Sequence, residues 1–220
     1  MADGFLERLT DEARAALEFV SQRREYPVGQ VLFSEGDEGR EVFVILDGQV
    51  KVVASAASGR DVILDVLDAD SLLGELSAVD GEPRSAAAVA LTPVTVLVVA
   101  TDRFLAFLEE HGTAATVILQ IVVARLRNTS LRQLQFGTSD ALGRLCACLL
   151  TLHDRFGGNG EKADHVTIPL AQHEIAAMTG LSREAVVKAL RALRSLGWID
   201  MRARDLTILD EEAMRARAAG

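Results

Sequence analysis

The stretch His165–Asp210 reads HVTIPLAQHEIAAMTGLSREAVVKALRALRSLGWIDMRARDLTILD. Two runs with apolar residues at helical spacing, about 171–178 and 182–195, are separated by Thr179-Gly180-Leu181. Ser182 stands where it can cap the second run. A short glycine-bearing turn between two amphipathic helices is the pattern of a helix-turn-helix. After it, WIDMR and LTILD flank Ala203-Arg204-Asp205, which reads as a β-hairpin or wing. Two helices around a glycine can also be plain packing, so charge has to decide. Arg183, Glu184 and Lys188 crowd the start of the second helix, where base edges would be met in a major groove.

The overall net charge of −9 looks wrong for a nucleic-acid binder until it is divided. Residues 1–139 hold 12 basic and 21 acidic side chains, and residues 140–220 hold 11 of each. The acidic excess therefore lies entirely in the first part. Within 180–204 there are six bases (Arg183, Lys188, Arg191, Arg194, Arg202, Arg204) against two acids. That is a basic patch on an otherwise acidic chain, and it favours DNA.

Upstream, TAATVILQIVVARLRNTSLRQLQF places Val117, Ile121, Ala124, Asn128 and Leu131 at alternating steps of four and three. Such an a/d seam buries against the chain's own sheet or against a second copy; polar Asn128 suits register-setting between helices and points to a parallel homodimer. Helical sequence runs from Arg103 to about Phe136, with Thr101 and Asp102 as candidate caps, and Asp140 can cap the next helix. From Tyr26 to Ala100 the texture is different. Short β-rich segments (VLFSE, EVFVIL, QVKVVAS, RDVILDVL, SAAAVALTPVTVLVVA) alternate with glycine punctuation, which argues for an antiparallel sandwich or barrel with no helical period. Residues 5–24 return to helical spacing as two short helices.

Inside the β-rich region lies LGELSAVDGEPRSAAAVA, Leu73–Ala90. Glu75 and Arg84 stand out among small and apolar residues. A guanidinium forks onto phosphate oxygens and a carboxylate accepts from sugar hydroxyls, so the pair suggests a phosphorylated sugar. Gly74 and Gly81 permit backbone conformations that a side chain forbids and a close approach of ligand to main chain. The alternative for these two residues alone is a solvated surface loop. Cys146 and Cys148 sit two apart on a helix and cannot face each other, and the four histidines show no zinc-like spacing with them. Buried free thiols are expected, with no metal. The chain has 49% hydrophobic and 25% charged residues, and its start, MADGFLERLT, lacks a basic n-region and an apolar h-region. A cytoplasmic protein without a membrane partner is expected.

Taken together, these motifs resemble the bacterial regulators named after the cAMP receptor protein and the fumarate–nitrate regulator. Gly74-Glu75-Leu76 and Pro83-Arg84-Ser85-Ala86 are similar to that family's phosphate-binding cassette, and ARLRNTS is similar to the helix segment that closes over the purine. LSREAVVKAL resembles its recognition helix, with Lys188 where an arginine is usual. The resemblance implies an α+β chain: an antiparallel β-roll (jelly roll), a long dimerisation helix and a winged helix-turn-helix, over residues 1–112, 113–137 and 138–220. It implies that Glu75 takes a ribose hydroxyl and that Arg84, Ser85 and the cassette amides of Gly74 to Leu76 take a cyclic phosphate. Arg125 would brace Glu75, while Thr129 and Ser130 would meet adenine from the two subunits. Arg183, Glu184 and Lys188 would read bases, with Ser182, Gln172 and Arg204 nearer the backbone. The implied effector is cAMP, and the implied partners are double-stranded DNA carrying an inverted repeat, a second copy, and RNA polymerase. No cysteine precedes Cys146, so the cysteine-rich N-terminal cluster of the family's oxygen sensors is missing and no iron–sulfur cluster is expected. Two alternatives stay open: the same dimer with another nucleotide or none, and a nucleotide-binding subunit whose C-terminal domain docks protein. No nucleophile–base arrangement, Walker loop or metal pair suggests an enzyme.

Overall fold

The computed structural model describes residues 4–56, 59, 61–156, 165–167, 170–202 and 205–219. The chain divides into two compact units, Met1–Leu126 and Arg127–Gly220. The class is α+β, as expected.

In the first unit, strands β1 (Gln22–Tyr26), β2 (Val31–Phe33), β3 (Glu41–Asp47), β4 (Val50–Ser55), β5 (Asp61–Leu67), β6 (Leu72–Leu73), β7 (Ala87–Ala90) and β8 (Val94–Ala100) form two antiparallel sheets, ordered β1-β8-β3-β6 and β2-β7-β4-β5. Period-two alternation assigns the two faces of the first sheet. Phe43, Ile45, Val94, Val96 and Val98 enter a core with Val50, Leu67, Ala88 and Ala90 of the second sheet. Val42, Val44, Leu97 and Val99 point the other way, onto helices. β3 is thus buried on both faces through its centre.

Those helices are a 3-10 turn at Leu6–Arg8, α1 (Asp11–Val20), the short α2 (Glu75–Asp80), α3 (Thr101–Glu110) and the first half of α4 (Gly112–Thr138). Thr10 caps α1, its Oγ1 accepting from Ala13 N at 3.2 Å. Four differences from the sequence reading have physical causes. Gln22–Tyr26, assigned in part to helix, is an edge strand of polar residues paired with β8, so no hydrophobic period marks it. The β-rich region does contain a helix, α2, whose six residues are too few for a period. The helical sequence from Arg103 to about Phe136 is two helices, bent by 112° at His111, and α3 starts one residue beyond Ala100 with no side-chain cap. The expected seam is also split. Its members Val117 and Ile121 are buried beside Ala114 and Ile118 in the unit's own core, whereas Asn128 and Leu131 are exposed; Leu119, Val123 and Leu126, outside that seam, are exposed on another side of α4.

The second unit holds the rest of α4, then α5 (Ala141–Phe156), β9 (His165–Thr167), α6 (Gln172–Thr179), α7 (Arg183–Ser195), β10 (Ile199–Arg202), β11 (Asp205–Ile208) and α8 (Glu211–Ala219). Asp140 caps α5, its Oδ1 accepting from Gly143 N at 2.9 Å. The wing is three-stranded, ordered β10-β11-β9, because β9 pairs with β11. α8, which no sequence signal announced, packs on α5 through Arg215 to Asp154 at 2.8 Å and Arg217 to Asp140. Cys146 and Cys148 are buried and unbonded. No single helix among the described residues is long and apolar enough to cross a membrane.

Candidate functional site

In the first unit the two residues singled out by the sequence are both buried: Glu75 is 2% exposed and Arg84 is 4% exposed. Glu75 opens α2 behind Gly74, whose φ of 79° puts it in the left-handed region. A Cβ on Gly74 would lie 2.4 Å from Arg84 Nη1. The glycine therefore makes room for a guanidinium, a reason different from the close ligand approach that the sequence suggested. Arg84 Nη1 donates to the Gly74 carbonyl oxygen at 2.8 Å, and Nη2 donates to the carbonyl oxygen of Glu41. Its backbone is tied to the loop before β3, with Arg84 N donating to Asp37 O and Gly36 N to Arg84 O, each at 2.8 Å.

The guanidinium carbon lies 4.4 Å from the centroid of the Phe33 ring. Nε is buried and has no hydrogen-bond partner among the described residues. Burial lowers the Arg84 pKa from its ordinary value, and the carboxylates of Glu75, Glu41 and Asp37 act in the opposite sense. A buried cation held by neutral carbonyls and an aromatic face keeps donor capacity for an anion. Glu75 is held from another side. Arg125 on α4 donates to its Oε1 from Nη1 at 2.6 Å and to the Leu72 carbonyl oxygen from Nη2 at 2.8 Å. The structure thus brings Gly74, Glu75, Arg84 and Arg125 together, while Leu76 and Ser85 are exposed beside them. Thr129 and Ser130 are exposed on α4.

In the second unit α6 ends at Gly180, in the left-handed region with φ 66°, and α7 begins behind Ser182, whose Oγ accepts from Ala185 N at 3.1 Å. The glycine turns the chain and the cap aims the start of α7. Val186, Ala189, Leu190 and Leu193 anchor α7 from below. Its outer face carries Arg183, Glu184, Val187, Lys188 and Arg191 around an open groove of about 550 Å³. Gln172 is exposed at the start of α6. Arg204 lies outside the described residues.

Comparison with known proteins joins the two sites. Residues 23–111 match the cyclic nucleotide-binding domain and residues 143–217 match the Crp-like helix-turn-helix domain. The chain is 32% identical to the CRP-like cAMP-activated global transcriptional regulator of Mycobacterium tuberculosis, over 98% of this chain and 96% of that one. The chain belongs to the Crp/Fnr family. It is a DNA-binding transcription regulator with a cyclic nucleotide-binding domain, and its family is one of regulators rather than enzymes. The cyclic AMP receptor protein of Thermus thermophilus is 29% identical over 92% of this chain and 93% of its own. FixK2 of Bradyrhizobium japonicum shares the fold, with a TM-score of 0.81 at 19% identity over 91% of this chain and 98% of its own.

For this Crp/Fnr regulator, sequence reasoning missed two contributors and named a third residue, Arg191, only as part of the basic patch. Arg191 falls on the exposed face of α7 at helical spacing from Arg183 and Lys188, and that spacing could have placed it. Glu41 serves Arg84 through its carbonyl, which no side-chain pattern reveals. Phe33 reaches Arg84 from β2, the neighbour of the strand that follows Arg84, a pairing that only the fold creates.

Proposed function

We propose that the protein is a homodimer whose affinity for DNA is controlled by a cyclic mononucleotide, and that this effector is cAMP. The observation that carries the proposal is Arg84, a buried guanidinium whose Nε has no partner among the described residues, close to a carboxylate that Arg125 braces. A cyclic phosphate supplies acceptors for the guanidinium's remaining N–H groups, and a ribose hydroxyl can donate to Glu75. Gly74, Leu76 and Ser85 complete the cassette, and Thr129 and Ser130 meet the base. The name of the Mycobacterium tuberculosis relative, a cAMP-activated regulator, supports the choice of base. The exposed stripe Leu119, Val123 and Leu126 is the face we assign to the second copy, since contiguous apolar side chains favour burial.

On DNA, Arg183 and Lys188 donate to guanine O6 and N7, Glu184 accepts from cytosine N4, and Ser182, Gln172 and Arg204 serve the backbone. A dimer then reads an inverted repeat with half-sites about one helical turn apart. The proposed domains are 1–112, 113–137 and 138–220, the compartment is the cytoplasm, and RNA polymerase is the further partner. Titration of the purified protein with cAMP and cGMP by calorimetry tests the effector. Tight cAMP binding with weaker cGMP binding is expected. Selective cGMP binding, or heat from neither, would overturn it.

A further inference from the structure

The three nitrogens of the planar Arg84 guanidinium have different surroundings. Nη1 and Nη2 are each fixed by a backbone carbonyl, from Gly74 and Glu41. Two in-plane bonds leave one freedom, rotation of the plane about the line that joins them. The Phe33 ring removes it, because a guanidinium lies flat against an aromatic face to keep its charge over the π cloud. The guanidinium carbon is 4.4 Å from the ring centroid. Phe33 cannot readily swing aside. Its ring lies 5.5 Å from that of Phe43, a residue 1% exposed in the core between the sheets. Its backbone pairs with Ala88 of β7, the strand that follows Arg84 in the chain.

We propose that Phe33 is a positioning residue for the effector: its ring fixes the plane of the Arg84 guanidinium so that the N–H groups left over from the two carbonyl bonds keep one orientation toward the ligand's phosphate. This rests on the cyclic-nucleotide reading of the pocket. An aliphatic residue at position 33 fills similar space but leaves the plane free, so the fork meets the two exocyclic phosphate oxygens less selectively. An aromatic residue restores it.

The test measures calorimetric affinities for cAMP and for its two phosphorothioate diastereomers, which differ only in which exocyclic oxygen is sulfur. Wild type is compared with Phe33→Leu and Phe33→Tyr, each checked for folding by thermal melt; Phe33→Ile, β-branched and suited to a strand, replaces Phe33→Leu if that variant does not fold. The aliphatic variant is expected to bind cAMP about tenfold more weakly, with the affinity ratio of the diastereomers moved toward one, and Phe33→Tyr is expected to restore both. Unchanged affinity, or an equal loss for both diastereomers without rescue by tyrosine, would overturn the inference and leave the cyclic-nucleotide reading intact. A folded wild type that binds none of the three compounds would overturn both.

Discussion

Arg84 combines features that a surface arginine lacks: it is buried, its amino groups are held by carbonyls, and its Nε is unpartnered among the described residues. Removing one side of a buried charge pair costs about 2–5 kcal/mol. Arg84→Ala is therefore expected to weaken cAMP binding by at least about thirtyfold, measured by calorimetry, while a thermal melt shows the unliganded fold surviving. The cysteines give a prediction of the opposite kind, an absence of chemistry. Burial pushes the Cys146 thiol up to about 11 and that of Cys148 up to about 12. Both folded values lie above the ordinary 9.0. Their contribution to stability is thus fully present below pH 9 and is lost as pH rises toward those folded values. At pH 8 a thiol reagent is expected to label the native protein far more slowly than the urea-unfolded chain, because the reactive species is the thiolate. Equal rates would contradict the burial.

At the scale of elements, α7 offers a graded test. Arg183 stands in its first turn and Arg191 two turns further on, both on the outer face. A residue that reads a base changes sequence preference, whereas one that meets phosphate changes all affinities alike. Arg183→Ala is expected to cost about 1–3 kcal/mol and to relax one position of the operator, scored by binding selection on random duplexes. Arg191→Ala is expected to weaken every duplex to a similar degree. An unchanged selected motif after Arg183→Ala would remove that residue from base reading. The helix-turn-helix was legible because its glycine, its cap and its apolar spacing all agree; Gly180, Ser182 and the buried face of α7 are local signals. β3 and β8 were legible for the same reason, as long β-branched runs. β1 was not, since Gln22, Arg23, Arg24 and Glu25 form a strand only through their partners on β8. The seam on α4 was legible as a stripe but not by partner, because the helix is apolar on two sides, and spacing alone cannot say which side meets the chain's own sheet. Glu75 and Arg84 were legible as chemistry, but Phe33 and the Glu41 carbonyl depend on contacts between distant segments.

For the whole molecule, the proposed function ties the exposed stripe on α4 to the switch. Leu119 is 63% and Leu126 65% exposed, so a charge placed there should prevent pairing of copies. Leu126→Glu is expected to sediment as a monomer in analytical ultracentrifugation and to lose most of its operator affinity; a persistent dimer would move the interface elsewhere. Coupling follows from linkage. If cAMP raises DNA affinity by some factor, operator DNA raises cAMP affinity by the same factor. Equal cAMP affinities with and without operator duplex would describe a nucleotide binder that is not switched. The doubly apolar helix also limits how this sequence can change over generations. Between Ala114 and Leu126, four residues serve the core, Val122 packs against it, Gln120 accepts from Arg8, Arg125 holds Glu75, and three leucine or valine side chains form the outer stripe. Only Ala115 and Thr116 are exposed there without such a duty. An ordinary amphipathic helix leaves about half its circumference open to neutral drift. This one leaves almost none, so descendants that keep the switch should vary in the strands' turns and on the outer face of α8 long before they vary here.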